Sequence, residues 1–205
     1  MAIDVRGSHL RIASLDDDMI ISLEPLQGLW TNEQYLTMTD HSQRLLEFTD
    51  GYIEVLPMPT DKHQFISRFL LFALFAFVQP LKGTVIYAPL RLLIRNGKYR
   101  EPDLLVLRDA NDPRRQNRYW LGADLVVEIV SPDNPERDTK EKRVDYAEAG
   151  VPEYRIVNPE SSTISVLSLE DATYREAGVY RRGDSASSVL LAGFTISVDA
   201  VLDAQ

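Results

Sequence analysis

The 205-residue sequence has no cysteine, so disulfides, thiolate metal ligands and a thiol nucleophile are all excluded. A chain without thiols suits the cytoplasm, which is the expected location. Histidine is scarce as well: there are three, and neither His9 nor His41 has an evident partner in the sequence. The one strongly apolar run, from Phe65 to Val78, is interrupted by Ser67 and Arg68. It falls short of the roughly 20 residues that span a bilayer, so it is expected to be a buried helix with no membrane role. Met1 to Asp18 lacks an apolar segment behind a basic start and is not expected to act as a signal peptide, and Arg6-Gly7-Ser8-His9 reads as a cloning remnant. There is no repeat, low-complexity tract or linker. The expected organisation is an arm over residues 1–29, with one short strand, and a single domain over residues 30–205.

Apolar residues make up 44% and charged residues 26%, enough for one core and ordinary for a globular protein. The net charge of -9 argues against a protein that coats nucleic acid. The charge is unevenly spread, because Arg91 to Arg118 holds eight basic and four acidic residues. A basic band beside acidic strands suits a phosphate ligand held over a metal; the plain alternative is a solvated loop.

The chain is organised around residues 99–146. Thr31 and Gln34 have the spacing of a capping box for a short helix to about Thr39. Asp50-Gly51 between strand-like runs predicts a hairpin whose type I′ turn needs positive φ at both residues. Asp61 opens the long apolar helix, expected to be buried on several sides, and Gln79-Pro80 ends it. One strand is predicted from Gly83 to Ile94, and Asn96-Gly97 then turns the chain into Asp103 and Leu104 to Leu107. After a basic loop anchored by Tyr119-Trp120 comes Leu125 to Val130, with Glu128 inside it. A helix over 135–149 has Asn134 as cap and Gly150 as stop; a strand from Glu153 to Val157 and a β-rich tail complete the chain. The fold class is α/β or α+β, a mixed sheet with helices on its faces.

Asp103 and Glu128 each set a carboxylate against a buried Leu/Val/Ile strand, which is costly unless something pairs with it. A shared cation is the economical partner. Magnesium takes hard oxygen ligands, and Asp103, Glu128 and the Ile129 carbonyl could supply three, with manganese as a substitute. The metal would lower the pKa of a bound water, and a nearby lysine would hold that water or a phosphate. Helical spacing puts Asp138, Lys142, Tyr146 and Ala149 on one face, and Lys140, Val144, Ala147 and Val151 on another. The second set reads as an apolar stripe with a snorkelling lysine, so Lys142 is preferred. An exposed Asp138–Lys142 pair, adding a few tenths of a kcal/mol, is the plain alternative.

Glu-Pro-Asp at 101–103, Asp-Leu-Val-Val-Glu-Ile-Val-Ser-Pro at 124–132, Asp138, Glu141-Lys142, Tyr146, Ala149 to Tyr154 and Asn158-Pro159 together resemble the Uma-two family. That family is similar to the PD-(D/E)XK restriction-endonuclease superfamily. The likeness extends upstream through Leu46-Glu47, Asp50 to Glu54 and His63. It implies a restriction-endonuclease-like core, a mixed central sheet flanked by helices with an N-terminal helix and hairpin and a β-rich tail. It implies Asp103 and Glu128 as metal ligands, and it draws Glu47 and His63 towards the site. Val130 stands where the superfamily has its lysine, which makes Lys142 the replacement, and Arg155 stands where the family often has Trp.

The expected activity is magnesium-dependent hydrolysis of DNA phosphodiester bonds, with Arg108, Arg114, Arg115 and Arg118 on the backbone. A homodimer would suit cleavage of both strands. The rival reading is a nuclease-fold module, catalytically inactive, that binds nucleic acid or protein. A two-carboxylate glycosidase using Glu47 or Glu54 opposite Glu128 ranks lower, because no stacking aromatics are arranged for sugar.

Overall fold

The computed structural model describes residues 9–13, 18–42 and 44–205, with residues 9–13 and 18–22 described by backbone alone. Arg6, Gly7 and Ser8, which the sequence reads as a remnant, lie outside the described residues. In chain order the strands and helices are β1 (His9–Ala13), β2 (Asp18–Ser22), α1 (Asn32–His41), β3 (Leu46–Thr49), β4 (Tyr52–Val55), α2 (Asp61–Val78), β5 (Thr84–Tyr87) and β6 (Arg91–Arg95). Then come β7 (Lys98–Arg100), β8 (Leu104–Leu107), β9 (Tyr119–Trp120), β10 (Leu125–Ile129), α3 (Lys142–Glu148) and β11 (Glu153–Asn158). The tail holds β12 (Thr163–Glu170), β13 (Thr173–Arg181), β14 (Ser185–Ser187), β15 (Thr195–Ser197) and α4 (Val198–Leu202).

Two compact units are distinguished: Met1–Met58 with Arg95–Glu101, and Pro59–Ile94 with Pro102–Gln205. In the first, β1 and β2 pair antiparallel, so the N-terminal stretch holds two paired strands where one strand was expected. Thr31 caps α1 with the full reciprocal box: Gln34 N–H donates to Thr31 Oγ1, and Gln34 Oε1 accepts from Thr31 N–H. β3 pairs antiparallel with β4 and with β7. The β3–β4 turn has Asp50 at φ 47° and Gly51 at φ 90°, as a type I′ turn requires. Tyr35 stacks on Phe48 at 5.0 Å and donates its hydroxyl to the Leu46 carbonyl, which ties α1 to β3.

The second unit is built on a six-stranded sheet of order β13-β12-β11-β10-β8-β5. Only β10 and β11 run parallel in it; the other neighbours are antiparallel. Both faces of β8 and β10 are covered, so their residues read as continuous apolar runs rather than alternating ones. Leu104, Val106, Leu125, Val127 and Ile129 pack with Ile66, Leu70, Leu74 and Val78 of α2, and with Val198 and Val201 of α4. Leu105, Leu107 and Val126 face the other way, with Trp120, Tyr146 and Tyr154. Each fully buried side chain of this size adds about 1.5–3 kcal/mol, which makes this sheet the principal core.

Four expectations need correction. The long helix buries one stripe, not several sides: Phe72 and Phe75 are 63% and 48% exposed. By length and composition it could cross a membrane, yet its stripe is packed on the sheet. The strand from Gly83 to Ile94 is two strands, β5 and β6, parted at the cis Ala88–Pro89 bond. The helix after Asn134 is not regular, since Arg137–Glu141 forms a π turn closed by the Lys142 N–H on the Arg137 carbonyl. The face carrying Lys140 and Val144 points outward, with Val144 66% exposed and Lys140 ion-paired to Glu136 at 2.6 Å. The tyrosine on the opposite face outweighs it, because a buried aromatic ring removes far more apolar surface from water than a valine.

Candidate active site

Asp103 immediately precedes β8, and Glu128 sits within its antiparallel neighbour β10. Asp103 Oδ2 accepts from the Ile129 N–H at 2.7 Å, so the side chain of one strand end is fixed by the backbone of the other. The same oxygen accepts from His63 Nε2 at 3.1 Å. His63 reaches it from the first turn of α2, where Thr60 Oγ1 caps the His63 N–H. Its Nδ1 is buried without a hydrogen-bond partner among the described residues. Burial alone would lower the His63 pKa, but the bond to Asp103 and the charges of Asp103 and Asp138 outweigh it and raise the value above the ordinary 6.5.

Glu128 is 2% exposed and faces α3. Its Oε1 receives Lys142 Nζ at 2.8 Å and the Tyr146 hydroxyl. The Lys142 ammonium also touches Asp138 Oδ1 at 3.2 Å, and Asp138 in turn accepts the Tyr154 hydroxyl on its backbone carbonyl at 2.7 Å. The π turn therefore presents Asp138 and Lys142 together to the sheet, and extra turns of this kind are frequent at functional sites. Burial drives the Glu128 carboxyl well above its usual range; Lys142 opposes this, and the charges of Asp103 and Asp138 reinforce it.

The chemistry follows from the balance. Three carboxylates, all but Asp103 almost fully buried, face one ammonium and one imidazole. On Asp103 the Oδ1 oxygen, and on Glu128 the Oε2 oxygen, has no protein partner among the described residues, whereas Oδ2 and Oε1 are engaged. An excess of negative charge with one spare oxygen on each of two neighbouring carboxylates suits a divalent cation. Among the described residues, no three His, Asp or Glu side chains converge closely enough to form a ligand set by themselves. Such a cation would therefore complete its shell with backbone oxygen, water or substrate.

Asp103, Glu128, Lys142 and His63 thus stand in one cluster, joined by Ile129 through its amide. Asp138 and Tyr146 belong to it as well, although in the sequence they marked the helix face and the family resemblance and were assigned no role in the site. Glu47 lies in the first unit, nearly buried, with Arg100 Nε at 3.6 Å from Oε2 and the Glu101 N–H at 3.3 Å from Oε1. In the basic loop Arg114 is tied to Asp112 and Asp124 at 2.6 and 2.8 Å, and these partners raise its pKa further. Arg108 is exposed near Asp124, Arg115 is exposed and donates to the Ala110 carbonyl, and Arg118 is half-buried.

Residues 32–199 match the model of the Uma2 family, described as "Putative restriction endonuclease". A solved structure with a similar fold is that of a "putative nuclease belonging to DUF820" from Anabaena variabilis. Its TM-score is 0.72 at 19% identity, over 85% of this chain and 98% of the other. No curated protein matches the chain.

Proposed function

The chain belongs to the Uma2 family, and we propose that it is a metal-dependent endonuclease hydrolysing DNA phosphodiester bonds. The observation that supports this reading is the acidic cluster itself. Asp103 and Glu128 keep one unengaged oxygen each, beside a buried lysine, on adjacent strands. Magnesium, or manganese in its place, would be held by those two oxygens and the Ile129 carbonyl. When bound it would make a water nucleophilic and offset charge on the phosphate.

The chain's own groups have separable tasks. His63 and the Ile129 amide hold Asp103 in one orientation through Oδ2. Lys142, anchored between Glu128 and Asp138, presents a point charge that can orient a water or a phosphate oxygen. Burial removes competing water from around that ammonium and so strengthens its pull on an anion. Arg108 and Arg115 carry the exposed charge of the basic loop and would meet the DNA backbone with salt-dependent affinity; Arg114 acts chiefly by bracing the loop. The exposed Phe72 and Phe75 face of α2 fits a second copy of the chain, which sedimentation would reveal.

Cleavage of supercoiled plasmid with Mg2+ or Mn2+ tests the assignment. Asp103→Ala and Glu128→Ala should each reduce the rate by roughly 10²–10³-fold or more, with far-UV circular dichroism unchanged. Full activity in either variant sinks it. The rival reading, a nuclease-fold binding module without cleavage, draws support from a lysine already ion-paired to two acids. Calorimetry finding no divalent-metal binding would select it.

A further inference from the structure

We propose that Tyr146 is a positioning residue that selects which oxygen of Glu128 faces the reacting centre, an inference that rests on the metal-dependent reading above. A glutamate carboxylate can turn about its last torsion and present either oxygen. Here two donors converge on Oε1, the Lys142 ammonium at 2.8 Å and the Tyr146 hydroxyl. Oε2 has no protein donor among the described residues, and it is not among the buried atoms lacking a partner.

The two donors differ in kind. Lysine reaches Glu128 along a flexible four-carbon stem and already divides its ammonium between Glu128 and Asp138. Tyr146 has two torsions, is completely buried, and lies edge-on to Tyr154 with centroids 5.0 Å apart and planes at 69°. Tyr154 is itself pinned by its hydroxyl on the Asp138 carbonyl. The tyrosine is therefore the donor that stays. If Lys142 turns towards a phosphate, Glu128 loses one partner on Oε1 but keeps the other, and Oε2 remains presented. The task of charge delivery and the task of aiming the carboxylate fall on different residues of the same helix, one turn apart.

Tyr146→Phe removes only the hydroxyl. Titration calorimetry with Mn2+ on metal-free protein should show roughly a tenfold to hundredfold weaker affinity, as is usual for partners that orient a metal ligand. Plasmid cleavage should lose kcat by a similar factor, with KM for DNA unchanged. Tyr174→Phe is the matched control, since that hydroxyl is spent on the Val151 carbonyl at 2.6 Å. It should lower the melting temperature comparably and leave Mn2+ affinity alone. Lys142→Ala gives an independent reading should Tyr146→Phe fail to fold: its Mn2+ affinity should hold or rise while cleavage is lost. Wild-type affinity and kcat in Tyr146→Phe, or a tenfold loss of affinity in Lys142→Ala, overturns the role of Tyr146 and leaves the nuclease reading standing. Wild-type protein that neither binds Mn2+ nor cleaves overturns both.

Discussion

Two buried charge clusters lie on the neighbouring parallel strands β10 and β11, on opposite faces of one sheet. On β11, Glu153 and Arg155 pair at 2.6 Å, one charge against one. Glu153 Oε2 also takes the Ser188 hydroxyl and the N–H groups of Val189 and Leu190, so both of its oxygens are engaged. Arg155 lies 5.2 Å from the centre of the Phe194 ring, a cation–π placement that serves its Nη2, which has no hydrogen-bond partner among the described residues. On β10, Glu128 joins two more carboxylates against a single lysine and a histidine, with oxygens to spare. Burial alone does not separate the two. Neutrality and satisfied acceptors mark the first as architecture, fixing the 188–191 loop; surplus charge and open acceptors mark the second as a place built for something else.

The largest effect should come from breaking the balanced cluster. Arg155→Ala leaves Glu153 buried and uncompensated and should cost about 3–5 kcal/mol, seen as a lower midpoint in urea. Glu128→Gln should do the reverse. It removes a surplus buried charge while its amide oxygen still accepts from Lys142 and Tyr146. Metal-free protein should therefore gain roughly 0.5–2 kcal/mol while losing cleavage, the trade expected of a functional residue. If both substitutions destabilise equally, the distinction fails.

Acidity sharpens the contrast further. The raised Glu128 carboxyl means that the native state binds more protons than the unfolded chain above the ordinary carboxyl value of 4.5. Stability must then fall as pH rises towards its native value. His63, raised above 6.5, adds stability that is fully present below that pH and is lost as pH climbs through its native value. Both act in the same direction, so metal-free protein should melt several degrees lower at pH 8 than at pH 5.5, and Glu128→Gln should flatten that slope in a thermal-shift series. A slope untouched by Glu128→Gln would place the proton uptake elsewhere. The smallest effect lies outside both clusters. Arg108→Ala should change stability by less than about 0.5 kcal/mol, and should reduce the salt dependence of DNA binding by about one charge.

What could be read from the sequence was what short-range physics decides. The Asp50-Gly51 turn, the Thr31/Gln34 cap, the start of α2 after Thr60 and the stop at Gly150, with φ 68°, all rest on residues within one turn of each other. The π turn at 137–141, the two-residue β9 strand and the α4 helix escaped, because each exists through packing on distant elements. The same holds for charge. A carboxylate inside an apolar run was visible at Asp103 and Glu128, and the polar stripe of the following helix singled out Lys142. Asp138 and Tyr146 were in that stripe too, yet which stripe members touch Glu128 depends on the docking of the helix. The Glu153–Arg155 pair gave no signal at all, since an alternating Glu-Tyr-Arg reads as an ordinary half-exposed strand. The all-round apolar character of α2 misled for the opposite reason: composition does not say how many neighbours a helix has.

The lysine of the site comes from a helix, and this has a mechanical consequence. Position 130 is left to Val130, a member of the apolar layer, so β10 keeps an unbroken hydrophobic lining beyond Glu128. The two acids are set by the sheet, a stiff lattice of paired strands. The ammonium is set by the run of chain from Ser131 to Glu141 that carries the π turn. One half of the constellation is thereby uncoupled from the other. A residue inserted or removed in that run would shift the reach of Lys142 while leaving the spacing of Asp103 and Glu128 untouched, so the placement of the ammonium and the spacing of the acids can be adjusted separately within one fold.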